Sequence, residues 1–471
     1  MTMKTTYRLL LALVVILLAW FLVGYGEAKA QSAAKSAKFY CSPAPCVLPP
    51  TLASEGSGFV TDSHIVTNPT NQKELLLSSF DGNCTQPLGF HLSRDRGSTW
   101  QRVLCMSSII SKQRVYQPSS EPSVGYDRNG TAYVTGLYFG NSGGTYGLLA
   151  LQKSLDGSHW NNPVVALRVP GQAYPFETSM AVDVSPGSPR VNSLYVSGVM
   201  WSEQGHKNQV LVSHSTDGGA TWTQAAVDAV QQSPEEDRFT RMAIGKDGTV
   251  YLTWMHCRGK DREGGGLCPT VHMMFSESED GGDTWSSPQE IATVGMPTEW
   301  ALPNTNQNVR VYNYPVIAVD NSDGSHAGNL YVAMYTWTGS YLRAQVIRST
   351  DGGTTWSQPV PLAPKSDSHD QFFPTISVNN AGLVGVSWLD RRNDPNNIDY
   401  QAFAAVSTDG GQTFPNTQLT TAFSNPNVNG GNNWIGDYTG NTWSGQEFIA
   451  AWMDSSNGTD MQEVVGGVRL K

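Results

Sequence analysis

The residues able to do chemistry in this chain recur at one kind of place, immediately before a short β-prone run. Glu121 precedes the run at 122–126, and Glu177 the run at 179–183. Asp237, Arg238 and Arg241 lead into 241–244, Tyr312 and Tyr314 into 315–320, Asp370 with Gln371 into 374–378, and Asp437 with Tyr438 opens the last such run. A second set follows the partner runs: His256 and Arg258, then Asp390, Arg391 and Arg392, and Asp454. Carboxylates supply acid, base or nucleophile, guanidinium groups hold anions through paired hydrogen bonds, and aromatic faces stack on sugars. Candidate catalytic residues are therefore Glu121, Glu177, Asp237, Asp370, Asp437 and Tyr438. Candidate ligand-binding residues are Arg238, Arg241, Arg258, Asp390, Arg391, Arg392 and Tyr314. Charges at strand ends also suit salt bridges between neighbouring structural units, so each candidate has a structural reading beside the chemical one.

A repeated motif must position these residues. Ser-x-Asp-x-Gly-x-Thr-Trp occurs in six copies, at 93–100, 154–160 (shortened), 215–222, 278–285, 349–356 and 407–414 (Phe for Trp). Its aspartates are Asp95, Asp156, Asp217, Asp280, Asp351 and Asp409. Asp bonds backbone N–H groups two residues on, Gly accepts positive φ, and Thr-Trp opens a strand, so the motif reads as a structural hairpin turn. Its first serines lie 61, 61, 63, 71 and 58 residues apart, the spacing of one repeated supersecondary unit.

About thirty residues before each motif stands a pair of β-runs, such as 179–183 with 194–196, or 315–320 with 330–332. With one strand into the motif and one out of it, each unit holds four antiparallel strands, the composition of a propeller blade. The expected fold is all-β, a propeller of seven blades, with six as the alternative. The last unit, without a motif, has three strands of its own; residues 39–47 are expected to supply its fourth and close the ring. If the first strand of each blade runs from top to bottom, the motif turns lie at the bottom. The polar strand entries then ring the channel at the top, where a funnel could hold a ligand.

Composition supports a turn-rich β protein, with 47 Gly, 26 Pro and 10% aromatic residues. A net charge of -10 argues against nucleic acid or an anionic membrane surface as partner. Residues 1–30 carry Lys4, Arg8, an apolar run and Ala28-Lys29-Ala30, an export signal cleaved after Ala30 or a retained N-terminal anchor. Residues 31–471 then form a single domain in an extracytoplasmic space, secreted or periplasmic. The cysteines fall in near neighbours, Cys41 with Cys46, Cys84 with Cys105 and Cys257 with Cys268, and local disulfides are the simplest of the pairings six cysteines permit. No spacing marks a metal or redox site, and no cofactor is implied.

The motif resembles the Asp box, or bacterial neuraminidase repeat, of the sialidase superfamily, and the units that carry it span nearly the whole mature chain. The resemblance implies a propeller that acts on or binds glycans at the face opposite the boxes. An exo-type glycoside hydrolase is one outcome; a noncatalytic module binding glycans or proteins at the envelope is the alternative. Sialidases hold the substrate carboxylate with three arginines and use a tyrosine activated by a glutamate, with an aspartate as acid. By that analogy the clamp draws on Arg238, Arg241, Arg258, Arg391 or Arg392, and Tyr438 beside Asp437 stands for the nucleophile. No arginine occurs between Arg8 and Arg94, so the family's first clamp residue has no counterpart.

Overall fold

The computed structural model describes residues 46–470, apart from 112, 141–145, 170, 203–205 and 262–266. The export signal, Cys41 and residues 39–45 lie outside the described residues. From Val47 onward the chain is one compact unit built of seven sheets, the blades of a propeller.

Six of the seven sheets are four-stranded antiparallel meanders whose strands lie side by side in chain order, two of them with a short added strand. Blade 1 comprises Val60–Asn68, Asn71–Asp81, Leu88–Ser93 and Gln101–Cys105. The innermost strands of blades 2 to 6 are Arg114–Tyr126, Ala173–Val182, Glu236–Ile244, Val316–Val319 and Gln371–Val378. Blade 7 takes three strands from the C-terminal end, Gly440–Ser444, Glu447–Asp454 and Gln462–Arg469. Its outer strand is Cys46–Leu52, so opposite ends of the chain close the ring. Of the expected 39–47, residues 39–45 lie outside the described residues, and the strand continues beyond 47 to Leu52. Of the adjacent Pro49 and Pro50, one has its nitrogen on the open side of this edge strand, where a missing N–H leaves no ladder bond unmade.

The second strands are almost continuously apolar, as in Leu330–Trp337 and Val384–Asp390, because both faces of a blade are covered by neighbouring blades. Trp254, Trp388 and Trp452 end such strands fully buried, as inter-blade core, and each indole N–H donates to a carboxylate at the blade end, Asp237, Asp390 and Asp454 respectively.

All six third strands of blades 1 to 6 end on the motif serine. In the copy at 349–356, Ser349 Oγ donates to Asp351 Oδ1 at 2.7 Å and accepts the Gly353 N–H at 2.8 Å. Thr355 binds the same carboxylate through N–H (2.9 Å) and hydroxyl (2.6 Å), and the Trp356 indole closes onto the Gly353 carbonyl. Gly353 has φ +94°, and a Cβ there would stand 2.6 Å from the Phe275 ring of the preceding blade, so the turn requires glycine twice over. In the shortened copy His159 replaces the threonine, its Nδ1 lying 2.7 Å from Asp156 Oδ2. Blade 7 has no motif because its third and fourth strands come from opposite ends of the chain, leaving no turn to build.

The Cys84–Cys105 and Cys257–Cys268 disulfides both form. Among the described residues no helix is long and apolar enough to cross a membrane.

Candidate functional site

The strand entries opposite the motif turns are built by a repeated backbone irregularity. The inner strands of blades 1, 2, 3, 4 and 6 each slip register near their start, between Thr61 and His64, Ser120 and Ser123, Phe176 and Ser179, Arg238 and Arg241, and Phe372 and Thr375. Each slip holds a non-glycine residue at positive φ: Asp62, Glu121, Glu177, Phe239 and Phe373. A bulge of this kind bends the strand and re-aims the side chain.

Re-aimed in this way, the acids clamp neighbouring blades. Glu121 accepts the N–H groups of Glu177 (2.7 Å) and Thr178 (2.6 Å). Glu177 in turn accepts the Phe239 N–H at 3.0 Å and pairs with Arg238 at 2.8 Å, and Asp62 accepts the Asp437 N–H at 2.7 Å. All three are buried. Burial pushes Glu121 up to about 8, against the two N–H bonds that favour its charge, and Glu177 up to about 7, against the pull of Arg238.

The remaining candidates are also paired. Asp237 is buried between the Trp254 indole (3.0 Å) and His256 Nδ1 (2.9 Å), and burial raises it to about 7. Asp370 and Arg391 form an ion pair at 3.0 Å with both side chains fully buried. Arg392 lies on Asp390, and Arg258 on Glu290 at 2.5 Å. Asp437 is held by both nitrogens of Arg310, at 2.8 and 2.6 Å. The structure thus spreads these acids around the rim as clamps rather than gathering them as one exposed pair.

What it does gather, on the axis, is Arg241, Tyr314 and Tyr438. The Arg241 guanidinium lies 4.0 Å from the Tyr314 ring centre and 4.8 Å from that of Tyr438, and the two rings meet edge to face at 5.5 Å. It donates to the Thr240 carbonyl at 2.9 Å, and no carboxylate pairs with it among the described residues. Asp437 is already occupied by Arg310. Burial and then the Asp437 charge push the Asp62 carboxyl well above the usual carboxylate range, to about 8. Arg241 thus has no carboxylate within salt-bridge distance among the described residues, and the Asp437 charge acts on it only at longer range.

Beneath this roof an axial cavity of about 1010 Å³ is lined by the inner strands of all seven blades. Among the described residues Arg241 is its one permanently charged lining side chain; the rest are neutral, including Ser123, Ser179, Thr375 and Asn441. His64 also lines it. Its Nδ1 accepts the Val124 N–H at 3.2 Å, and burial followed by the Arg241 charge lowers its pKa to about 4, so the ring is neutral.

No protein-family model and no curated protein matches the chain. Among solved structures it is similar to an ulvan lyase of polysaccharide lyase family 25, at 11% identity over 88% of this chain and 95% of that one, with a TM-score of 0.52. It is also similar to the GH93 α-L-arabinofuranosidase of Fusarium graminearum (12% identity, 77% and 98% coverage, TM-score 0.49). A third is the NanB sialidase of Streptococcus pneumoniae (11%, 76% and 69%, TM-score 0.47). At these identities the likeness shows the fold alone.

Sequence reasoning missed Asp62, His64 and Arg310. Asp62 holds in blade 1 the place Glu121 holds in blade 2, and aligning the two strand entries would have found it; Arg310 lies in a connection outside the repeat, with no signal. The raised pKa of Asp62 has a measurable consequence. Its folded pKa, about 8, stands above the ordinary 3.8, so the native state binds this proton more tightly than the unfolded chain does. The associated stability is fully present below pH 4 and is lost as pH rises toward and through 8. Asp62→Asn keeps the acceptor for Asp437 N–H and suits φ +64°. Chemical denaturation at pH 6 and pH 9 is expected to show the variant gaining on the native protein by a few kcal/mol across that interval.

Proposed function

We propose that this protein is an exported propeller of the sialidase superfamily that binds acidic glycans at its axis. The observation that carries this reading is Arg241, an unpaired guanidinium between two tyrosine rings at the end of a cavity that contains no carboxylate among the described residues. An anion is the chemistry that meets it, and the hydroxyl and amide side chains below suit a sugar body. The fold supports the same class, since the ulvan lyase that resembles this chain was solved bound to -[GlcA(1-4)Rha3S]-. The two disulfides fit an oxidising compartment.

Binding is favoured over hydrolysis because the acids singled out in the sequence act as clamps between blades or are paired. One observation favours an exo-type hydrolase as a second reading: Asp62, pushed up to about 8 by burial, stands beside Asp437, which is paired with Arg310, so two neighbouring carboxyls have different environments. Calorimetric titration with glucuronic acid, a glucuronate-terminated trisaccharide, 3′-sialyllactose and neutral lactose separates the readings when run beside a fluorogenic sialoside assay. The acidic sugars are expected to bind, lactose not, and no fluorophore to be released. Release that disappears in Asp62→Asn would replace binding with hydrolysis, and equal affinity for lactose would sink the acidic-glycan assignment.

A further inference from the structure

We propose that the ligand reaches Arg241 from the face that carries the motif turns, end-first along the axial channel, as the acidic terminus of an unbranched glycan. This rests on the acidic-glycan reading above and adds the route and the shape of the ligand.

On the opposite side the described space against Arg241 is small. Above Arg241 the recess bounded by Tyr312, Tyr314, Phe373, Asp437 and Tyr438 has about 20 Å³, room for about one water molecule and not for a sugar ring. The walls of this recess are tied in place. The Tyr438 hydroxyl donates to the Pro122 carbonyl at 3.2 Å, Tyr314 is 6% exposed, and the Asp437 backbone is tied to Asp62.

Toward the motif face the channel opens between the hairpins of blades 1, 6 and 7. Gln72, Asn380, Ala381, Gly445 and Gln446 line it there and are exposed. These rim residues carry no charge, so nothing among them repels an anion, and the electrostatic bias along the path comes from Arg241 at its far end. From His64 to Asn68 the inner strand of blade 1 descends roughly 13 Å, a depth that takes a short chain. Along that path Ser377 Oγ and Asn441 Oδ1 have no protein hydrogen-bond partner. Buried polar atoms are ordinarily satisfied, so these two are available to hydroxyl groups of a ligand. Seven strands enclose the axis and one cation stands at its end, so one unbranched chain terminus can occupy it.

The test is steric and uses the full chain. Ala381→Trp and Gln446→Trp, both at exposed mouth positions, are made beside Asn433→Trp on the opposite face, an exposed residue whose carbonyl accepts the Arg310 N–H. Stopped-flow binding of the glucuronate-terminated trisaccharide is expected to slow at least tenfold in each mouth variant and to change less than twofold in Asn433→Trp, with thermal melting confirming that all three fold. The reverse pattern, or no effect of either mouth variant, overturns the route. If Arg241→Gln abolishes binding while the mouth variants leave it intact, the site stands and the route falls. If the unaltered protein binds no acidic sugar, both fall.

Discussion

Arg241→Gln is expected to weaken acidic-sugar binding by about 10- to 100-fold while leaving the melting temperature nearly unchanged. A hydrogen bond to a charged group contributes about 1.5–3 kcal/mol, and each 1.4 kcal/mol is tenfold in affinity. What the fold has invested in this side chain is its contact with the Tyr314 and Tyr438 rings, which the Gln stem keeps in part; it has no ion pair among the described residues and donates to the carbonyl of its own neighbour, Thr240. Arg241→Lys separates charge from geometry. It keeps the cation but loses the planar fork and much of the contact with the Tyr314 and Tyr438 faces, and should recover only part of the affinity. Titration calorimetry over a series of salt concentrations gives a second readout. The native protein should lose affinity as salt rises, and Arg241→Gln should not. A variant that bound acidic sugars as the native protein does would remove the basis of the proposed function.

Asp370→Ala is expected to destabilise the protein by about 3–5 kcal/mol, the cost of leaving a buried charge without its partner. Arg391 is fully buried and rests on Asp370 at 3.0 Å and the Pro303 carbonyl at 2.7 Å, with Nε and Nη2 unpartnered. Asp370 also accepts the Leu342 N–H and the Asn397 amide, both at 2.8 Å. Truncation therefore strands several donors as well as the guanidinium. Removing the charge too, in Asp370→Ala with Arg391→Met, should be less damaging than Asp370→Ala alone, because a hydrophobic side chain tolerates that interior. Urea denaturation of the two single variants and the double variant measures the coupling. Equal stability of Asp370→Ala and the native protein would show that the pair is not structural and would return Asp370 to the chemical candidates.

Much of the fold was legible in the residues. The six Ser-x-Asp-x-Gly-x-Thr-Trp copies and the paired β-runs before them specify local turns and strands, and local chemistry is what sequence reports directly. Their count and the unpaired last unit led to seven blades and to closure by the N-terminal end. The continuation of the closing strand to Leu52, beyond the expected 39–47, was not legible, because an outer edge strand has little pattern of its own.

The candidate site was legible only in part. Sequence placed polar residues at the strand entries and so found Arg241, Tyr314 and Tyr438, but it could not tell a clamp from a binding group. Glu121, Glu177 and Asp370 have the same residue types and positions as catalytic acids would. Whether such a carboxylate meets a backbone N–H, a buried arginine or open space depends on the next blade, about sixty residues away. The bulges that turn Glu121 and Glu177 toward that blade are set by inter-strand register, which no single strand encodes. The sequence by itself determined the propeller repeat, where its turns lie and which end of each strand is polar, and favoured seven blades over six. Tertiary structure alone decided which charges cancel, because pairing is a property of neighbours brought together by ring closure, and it left Arg241 as the axial cation without a carboxylate partner among the described residues.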